Sequence, residues 1–228
     1  MCGIAGIINP KLENKEGVSR AMTDAIFHRG PDEDGYFTDD FVGLGMRRLS
    51  IIDLSTGKQP ITSLDGKFLI FFNGEIYNYK ELREELLAKG FAFKTHTDTE
   101  VILHLFVAHG HNMLSKLRGM FAFCIYNTET EHIFIARDFF GIKPLYYLKT
   151  EDTVGQGNVV AFSSEIKSFL SYPSFIPEIN DNAVFNYLSF QYNPLAETFF
   201  KDVYKLFVKD IPVFRCNSSG NVNPPSCN

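Results

Sequence analysis

The chain has 228 residues, 45% of them hydrophobic, and a formal net charge of −5. That is enough for one domain with a sizeable core and an appendage. It contains no block of like charge, which argues against nucleic acid or an anionic membrane as a partner, and no apolar run long enough to span a bilayer.

In chain order, Cys2–Ile8 reads as a buried strand, ended by Asn9-Pro10 because proline lacks the N–H that would continue a ladder. No basic segment precedes this strand and it is short for a signal core, so the chain reads as cytoplasmic. Val18, Met22 and Ile26, with Ala21 and Ala25, make one face of a helix that stops at His28-Arg29-Gly30-Pro31-Asp32. Phe41–Met46 is a short strand, and Arg47 and Arg48 carry two positive charges into the apolar segment that follows. Lys67–Phe72 is a strand running into Asn73-Gly74-Glu75, and a polar helix over about Lys80–Lys89 turns Leu82 and Leu86 inward. Gly90 stands where a helix end favours a left-handed residue. Phe91–Lys94 reads as a strand, and Thr97-Asp98-Thr99-Glu100 has the spacing of a capping box, which puts Asp98 in the first turn of a helix. His109 and His111 fit the end of that helix better than a ligand pair.

A short helix near Leu114–Leu117 leads to strands Met120–Tyr126 and Ile133–Arg137 around a hairpin turn at Asn127–Thr130. Asp138–Pro144 is a turn into Leu145–Leu148, Thr153–Asn158 is a glycine-rich turn before Val159–Ser163, and Ile166–Leu170 and Ala183–Leu188 are short helices. After Tyr204 the periodicity weakens, and Asn217–Asn228 is expected to be disordered. Of the four cysteines, Cys124 reads as core, and Cys216 and Cys227 would pair only if oxidised, which a cytoplasmic setting opposes. No paired CxxC spacing points to zinc. Pattern alone yields a mixture of α and β with a layered core.

Five short stretches carry candidate chemistry. If an aminopeptidase removes Met1, Cys2 gains a free α-amine. A free thiol titrates near about 8.5 and an α-amine near about 7.7–8.0, so one residue then holds a nucleophile and a base. Asn73 and Gly74 offer a side-chain amide and a backbone N–H to a developing oxyanion. Arg48 offers a planar fork for a carboxylate. Asp98 and Glu75 could take an ammonium group. Each has a plainer reading by itself: Cys2 a core cysteine, Asn73-Gly74 a turn, Arg48 a solvated strand-end charge, Asp98 a helix-end carboxylate, Glu75 a surface ion pair. Together they describe a pocket for an amino acid with a side-chain carbonyl, which glutamine fits.

The segments Met1–Gly6, His28–Asp32, Arg48–Asp53, Phe72–Asn78, Thr97–Glu100, Gly119–Phe123 and Ala136–Asp138 with Gly141–Tyr146 resemble the class II glutamine amidotransferase domain, most closely that of glutamine-hydrolysing asparagine synthetase. The resemblance covers residues 2–206. It implies an N-terminal-nucleophile hydrolase fold of α+β class, a four-layer αββα sandwich of two antiparallel sheets. It implies that Cys2 attacks the side-chain carbonyl of L-glutamine with its amine as base, and that Asn73 and Gly74 hold the oxyanion. It implies that Arg48, Ile51, Glu75 and Asp98 bind the substrate. It implies no metal or cofactor for glutamine hydrolysis; ATP and Mg belong to a synthetase domain whose loop pattern this sequence lacks. Residues 207–228 depart from the family pattern and read as an atypical C-terminal segment. The expected partners are L-glutamine and a synthetase domain or subunit, whose docking face would lie near residues 136–147 and the C-terminal segment; a homodimer stays open. A weakly catalytic glutamine-binding module and a truncated gene product stay open as well.

Overall fold

The first strand, β1 (Gly3–Ile8), is the spine of one sheet: six apolar or small residues, all buried. The computed structural model describes residues 1–50, 57–151, 158–207, 213–216 and 222–223. Helix α1 (Lys15–Asp24) follows, capped by the Asn14 side chain on the Gly17 N–H. Strands β2 (Glu33–Thr38) and β3 (Val42–Arg48) form an antiparallel hairpin, and β3 pairs with β1. β4 (Ile61–Thr62) and the long β5 (Phe68–Ile76) begin the second sheet. Helices α2 (Tyr79–Ala88) and α3 (Asp98–His109) come next, and then a 3-10 helix at Gly110–Lys116. β6 (Gly119–Asn127) and β7 (His132–Arg137) complete the middle of the second sheet. The chain returns to the first sheet with β8 (Tyr146–Glu151) and β9 (Asn158–Ser163), then passes a 3-10 helix at Ile166–Ser171, α4 (Asp181–Phe190) and β10 (Val203–Lys205). β11 (Val213–Cys216) and β12 (Val222–Asn223) extend the second sheet beyond β7.

The first sheet has the order β10-β8-β9-β1-β3-β2 and the second β12-β11-β7-β6-β5-β4, and every named pairing is antiparallel. Three apolar layers hold them. Ile4, Leu44, Phe71 and Cys124 belong to the layer between the sheets. Ile70, Phe72, Leu86 and Leu103 pack the second sheet against α2 and α3. Ala5, Ile7, Met22 and Phe169 pack the first sheet against α1 and the 3-10 helix after β9. The result is a four-layer αββα sandwich, as expected from the resemblance.

Phe91–Lys94 is not a strand. The Lys94 and Thr95 N–H groups donate to the Glu100 carboxylate, at 2.8 and 2.7 Å, and not to a neighbouring strand. Only half of the expected capping box forms for the same reason. Thr97 Oγ1 accepts from the Glu100 N–H at 3.2 Å, but the Glu100 carboxylate is committed to the preceding loop. β2 is an edge strand that its polar, glycine-containing sequence hides. The expected disorder of Asn217–Asn228 falls, apart from Val222 and Asn223, outside the described residues, as do most of the Thr153–Asn158 turn and Cys227. No described helix is long and apolar enough to cross a membrane.

Candidate active site

Strand alternation builds the site. On β1, Ile4 and Ile8 face the layer between the sheets, while Ala5 and Ile7 face α1. Cys2 stands two residues before Ile4 and packs against the same inter-sheet layer. On β3 the inward series is Val42, Leu44, Met46, and Arg48 is its next member. On β5 it is Leu69 and Phe71, continued by Asn73 and Glu75. The register places Gly3 opposite Arg47 in one sheet and Glu75 opposite Met120 in the other. Polar residues thus replace apolar ones at one end of a single layer. A cavity of about 350 Å³ opens there, lined by Cys2, Arg48, Asn73, Gly74, Glu75 and Asp98. Six of the seven residues expected at the site meet in it; the seventh, Ile51, lies outside the described residues.

The Leu49 N–H donates to Cys2 Sγ at 3.4 Å. Arg29 Nε donates to the Cys2 carbonyl at 2.9 Å, and Arg29 Nη1 pairs with Glu165 Oε1 at 2.9 Å, so the Cys2 backbone is clamped from the first sheet's helix side. With Met1 in place the Cys2 nitrogen is an amide.

Asn73 is buried, and its Nδ2 has no hydrogen-bond partner among the described residues. A buried donor left unpaired inside a cavity costs roughly 1–3 kcal/mol unless a ligand or water accepts from it. Gly74 is required by close approach: a Cβ there would lie 2.3 Å from the Met120 carbonyl oxygen and 2.7 Å from Phe121 Cα. Asn73-Gly74 is therefore the interior of a paired strand and not a turn.

Arg48 is buried, and its Nη1 donates to Glu33 Oε2 at 2.5 Å. Gly30, in the His-Arg-Gly-Pro stretch, lies against the Arg47–Arg48 backbone, where a Cβ would meet main-chain atoms at 2.5 Å. That stretch thus seats the strand bearing Arg48. Asp98 opens α3, and its Oδ2 accepts from the Ile76 N–H at 3.0 Å. Burial pushes its carboxyl up to about 6, against the opposing backbone donors of Ile76 and Thr99 and with a small addition from Glu75.

The cavity wall also contains Met1, Leu49, Gln59, Met120, Ile142 and Lys143, none of which the sequence marks as catalytic or substrate-binding. Met120 is findable from alternation, since it precedes Ala122 and Cys124 on the inward face. Gln59 has no such signal; its side-chain amide pairs with both backbone groups of Phe72, at 3.2 and 2.7 Å. Beside Ile142, Phe139 and Phe140 are 78% and 83% exposed. Among the described residues no group of three His, Cys, Asp or Glu side chains is placed to hold a metal ion.

A family model described as a glutamine amidotransferase domain matches residues 1–220. Asparagine synthetase [glutamine-hydrolyzing] 1 of Bacillus subtilis (strain 168) is 47% identical over 210 residues, which is 90% of this chain and 32% of that protein. Asparagine synthetase [glutamine-hydrolyzing] 2 of the same organism is 42% identical over 76% of this chain and 23% of its own length. The chain therefore spans about a quarter to a third of these relatives. Among solved structures, glutamine phosphoribosylpyrophosphate (PRPP) amidotransferase from B. subtilis shares the fold, with a TM-score of 0.66 at 20% identity, over all of this chain and 50% of its own.

Proposed function

The chain belongs to the glutamine amidotransferase domain family, and from that membership we propose that it hydrolyses L-glutamine to glutamate and ammonia through a thioester on Cys2. The observation that carries this reading is the buried Asn73 amide, without a hydrogen-bond partner among the described residues, in the same cavity as Cys2, Arg48 and Asp98. An amino-acid substrate needs a cation for its carboxylate, an anion for its ammonium and a donor for its reacting carbonyl, and those three groups line one cavity.

In the proposed reaction Met1 is removed and the freed α-amine of Cys2 takes the thiol proton through a water. The thiolate adds to the side-chain carbonyl carbon of glutamine. Asn73 Nδ2 and the Gly74 N–H hold the oxyanion while Arg48 grips the α-carboxylate and Asp98, with Glu75, the α-ammonium. The C–N bond breaks as the ammonium of Cys2 returns its proton to the leaving nitrogen, releasing ammonia. Water then adds to the thioester, and glutamate leaves with the thiol restored. Ile51 is proposed to contact the substrate. Every group invoked belongs to this chain, and we place the reaction in the cytoplasm, where the thiol stays reduced.

Amide synthesis from that ammonia is proposed only together with a synthetase region of the kind implied by the longer relatives. The exposed Phe139 and Phe140 beside cavity-lining Ile142 support a docking face for it on this side. The test is release of ammonia and glutamate by purified protein whose intact mass shows Met1 removed, with Cys2→Ala alongside. Turnover in the parent and none in the variant is the expected result. No turnover with glutamine binding retained would replace hydrolysis by a binding role.

A further inference from the structure

One motif shared with the family has no role in the scheme above: Arg137-Asp138, followed by Gly141-Ile142-Lys143. The structure shows what it builds. Asp138 is buried and accepts from the Ile142 N–H at 2.8 Å and the Lys143 N–H at 2.9 Å. Arg137 donates to the Lys143 carbonyl at 2.5 Å, to the Gly141 carbonyl, and to the Leu206 carbonyl at 3.2 Å. Gly141 has φ +64°, and a Cβ there would lie 2.8 Å from Arg137 Cζ. Two charged side chains are thus spent on holding one tight turn, and that turn delivers Ile142 and Lys143 to the wall of the Cys2 cavity.

Lys143 is only 4% exposed. Among the described residues its Nζ has one hydrogen-bond partner, the Met1 sulfur at 3.2 Å. A thioether is a weak acceptor, and a buried ammonium without an anion is costly. Met1 is the residue whose removal the proposed reaction requires, and it is bonded to Cys2.

We propose that Lys143 is the cation at the nucleophile end of the cavity: it is parked on the Met1 sulfur before processing, and once Met1 is gone it faces Cys2 and stabilises the negative charge of its thiolate. Removal of Met1 then does two things at once, freeing the Cys2 amine and releasing a positive charge beside its sulfur. Lys143 acts on the nucleophile through its charge and binds no part of glutamine. The inference rests on Cys2 being the nucleophile of the processed protein, and its test does not need glutamine.

The experiment is alkylation of Cys2, in which the thiolate displaces iodide from either neutral iodoacetamide or anionic iodoacetate, at pH 7 in Met1-free protein. A nearby cation favours the anionic reagent and raises the thiolate fraction for both. Lys143→Met, similar in length and uncharged, is expected to slow alkylation and to lower the iodoacetate-to-iodoacetamide rate ratio by roughly three- to tenfold. Lys143→Arg should restore the ratio, and Lys143→Gln, of different shape and equally uncharged, should reproduce the loss. In protein kept with Met1 by aminopeptidase inhibition, Lys143→Met should leave the ratio unchanged. Equal ratios in parent, Met and Gln variants would overturn the proposal; an equal fall with Met1 retained would overturn the parking. A parent that alkylates as described but hydrolyses no glutamine would sink the glutaminase reading and leave this one standing.

Discussion

Cys2 and Cys124 face the same layer between the two sheets, yet they occupy different chemical worlds. Cys124 lies mid-strand on β6, wholly buried, and burial alone pushes its thiol far up, so it stays protonated and inert. Cys2 lies at the layer's open end, half-buried, with the Leu49 N–H on its sulfur and a cavity beside it. A thiol in this sandwich is governed by where along the layer it falls. The middle is apolar because both sheets cover it; at the end Arg48, Asn73 and Asp98, though buried, line the cavity that opens there.

The hardest test of that contrast is to remove each sulfur in turn. Cys2→Ala should abolish ammonia release from glutamine. Cys124→Ala should leave the rate within twofold and cost about 1–2 kcal/mol of stability in a urea titration, as a small cavity in a packed layer does. Loss of activity in the second variant would mean that the middle of the layer is coupled to its open end.

Next in size is the proposed oxyanion donor. Asn73→Ala should lower kcat by about 10²–10³-fold with little change in KM, since the donor is needed chiefly once charge develops on the carbonyl oxygen. A change confined to KM would place Asn73 in ground-state binding.

Asp98 makes the open end of the layer sensitive to pH. Its carboxyl, at about 6, favours the neutral form in the empty site. Because the folded value is raised, its contribution to stability is present below about 3.9 and is lost as pH rises through about 6. Asp98→Asn should therefore stabilise the empty protein at pH 7.5 by about 1–3 kcal/mol, read as a higher Tm. In the proposed reaction binding runs the other way, since only the ionised form can hold a substrate ammonium. KM for glutamine should climb as pH falls below about 6, and Asp98→Asn should raise KM roughly ten- to a hundredfold and flatten that dependence. A variant less stable than the parent at pH 7.5 would show that the carboxylate is held for the fold.

The smallest catalytic effect belongs to the outer rim. Phe139→Ser with Phe140→Ser should leave glutamine hydrolysis within twofold while weakening association with a co-expressed synthetase region taken from a relative. Equal association in parent and variant, measured by co-purification, would move the docking face elsewhere.

Much of the layered core is legible in the sequence, because alternation on β1, β3 and β5 marks which residues face inward. The same alternation, carried one step further, places Cys2, Arg48 and Asn73 on the inner faces. Phe91–Lys94 misleads because two phenylalanines with strand-like spacing instead flank the buried ring of His104. β2 escapes notice because an edge strand needs no apolar run. Lys143 sits in plain view in its motif, but nothing local says that its side chain turns inward.

The sequence alone supplied the reagents: a thiol at residue 2, an amide-glycine pair following an apolar strand run, an arginine and a carboxylate at element termini. It also determined the local conformations that backbone sterics and side-chain period dictate. Tertiary structure decided which of those ends meet. Residues 2, 48, 73, 98 and 143 come together through the antiparallel register of two sheets and the packing of one sheet on the other. Those contacts span long stretches of chain and are set by how much apolar surface the layers bury, a quantity that no local pattern records.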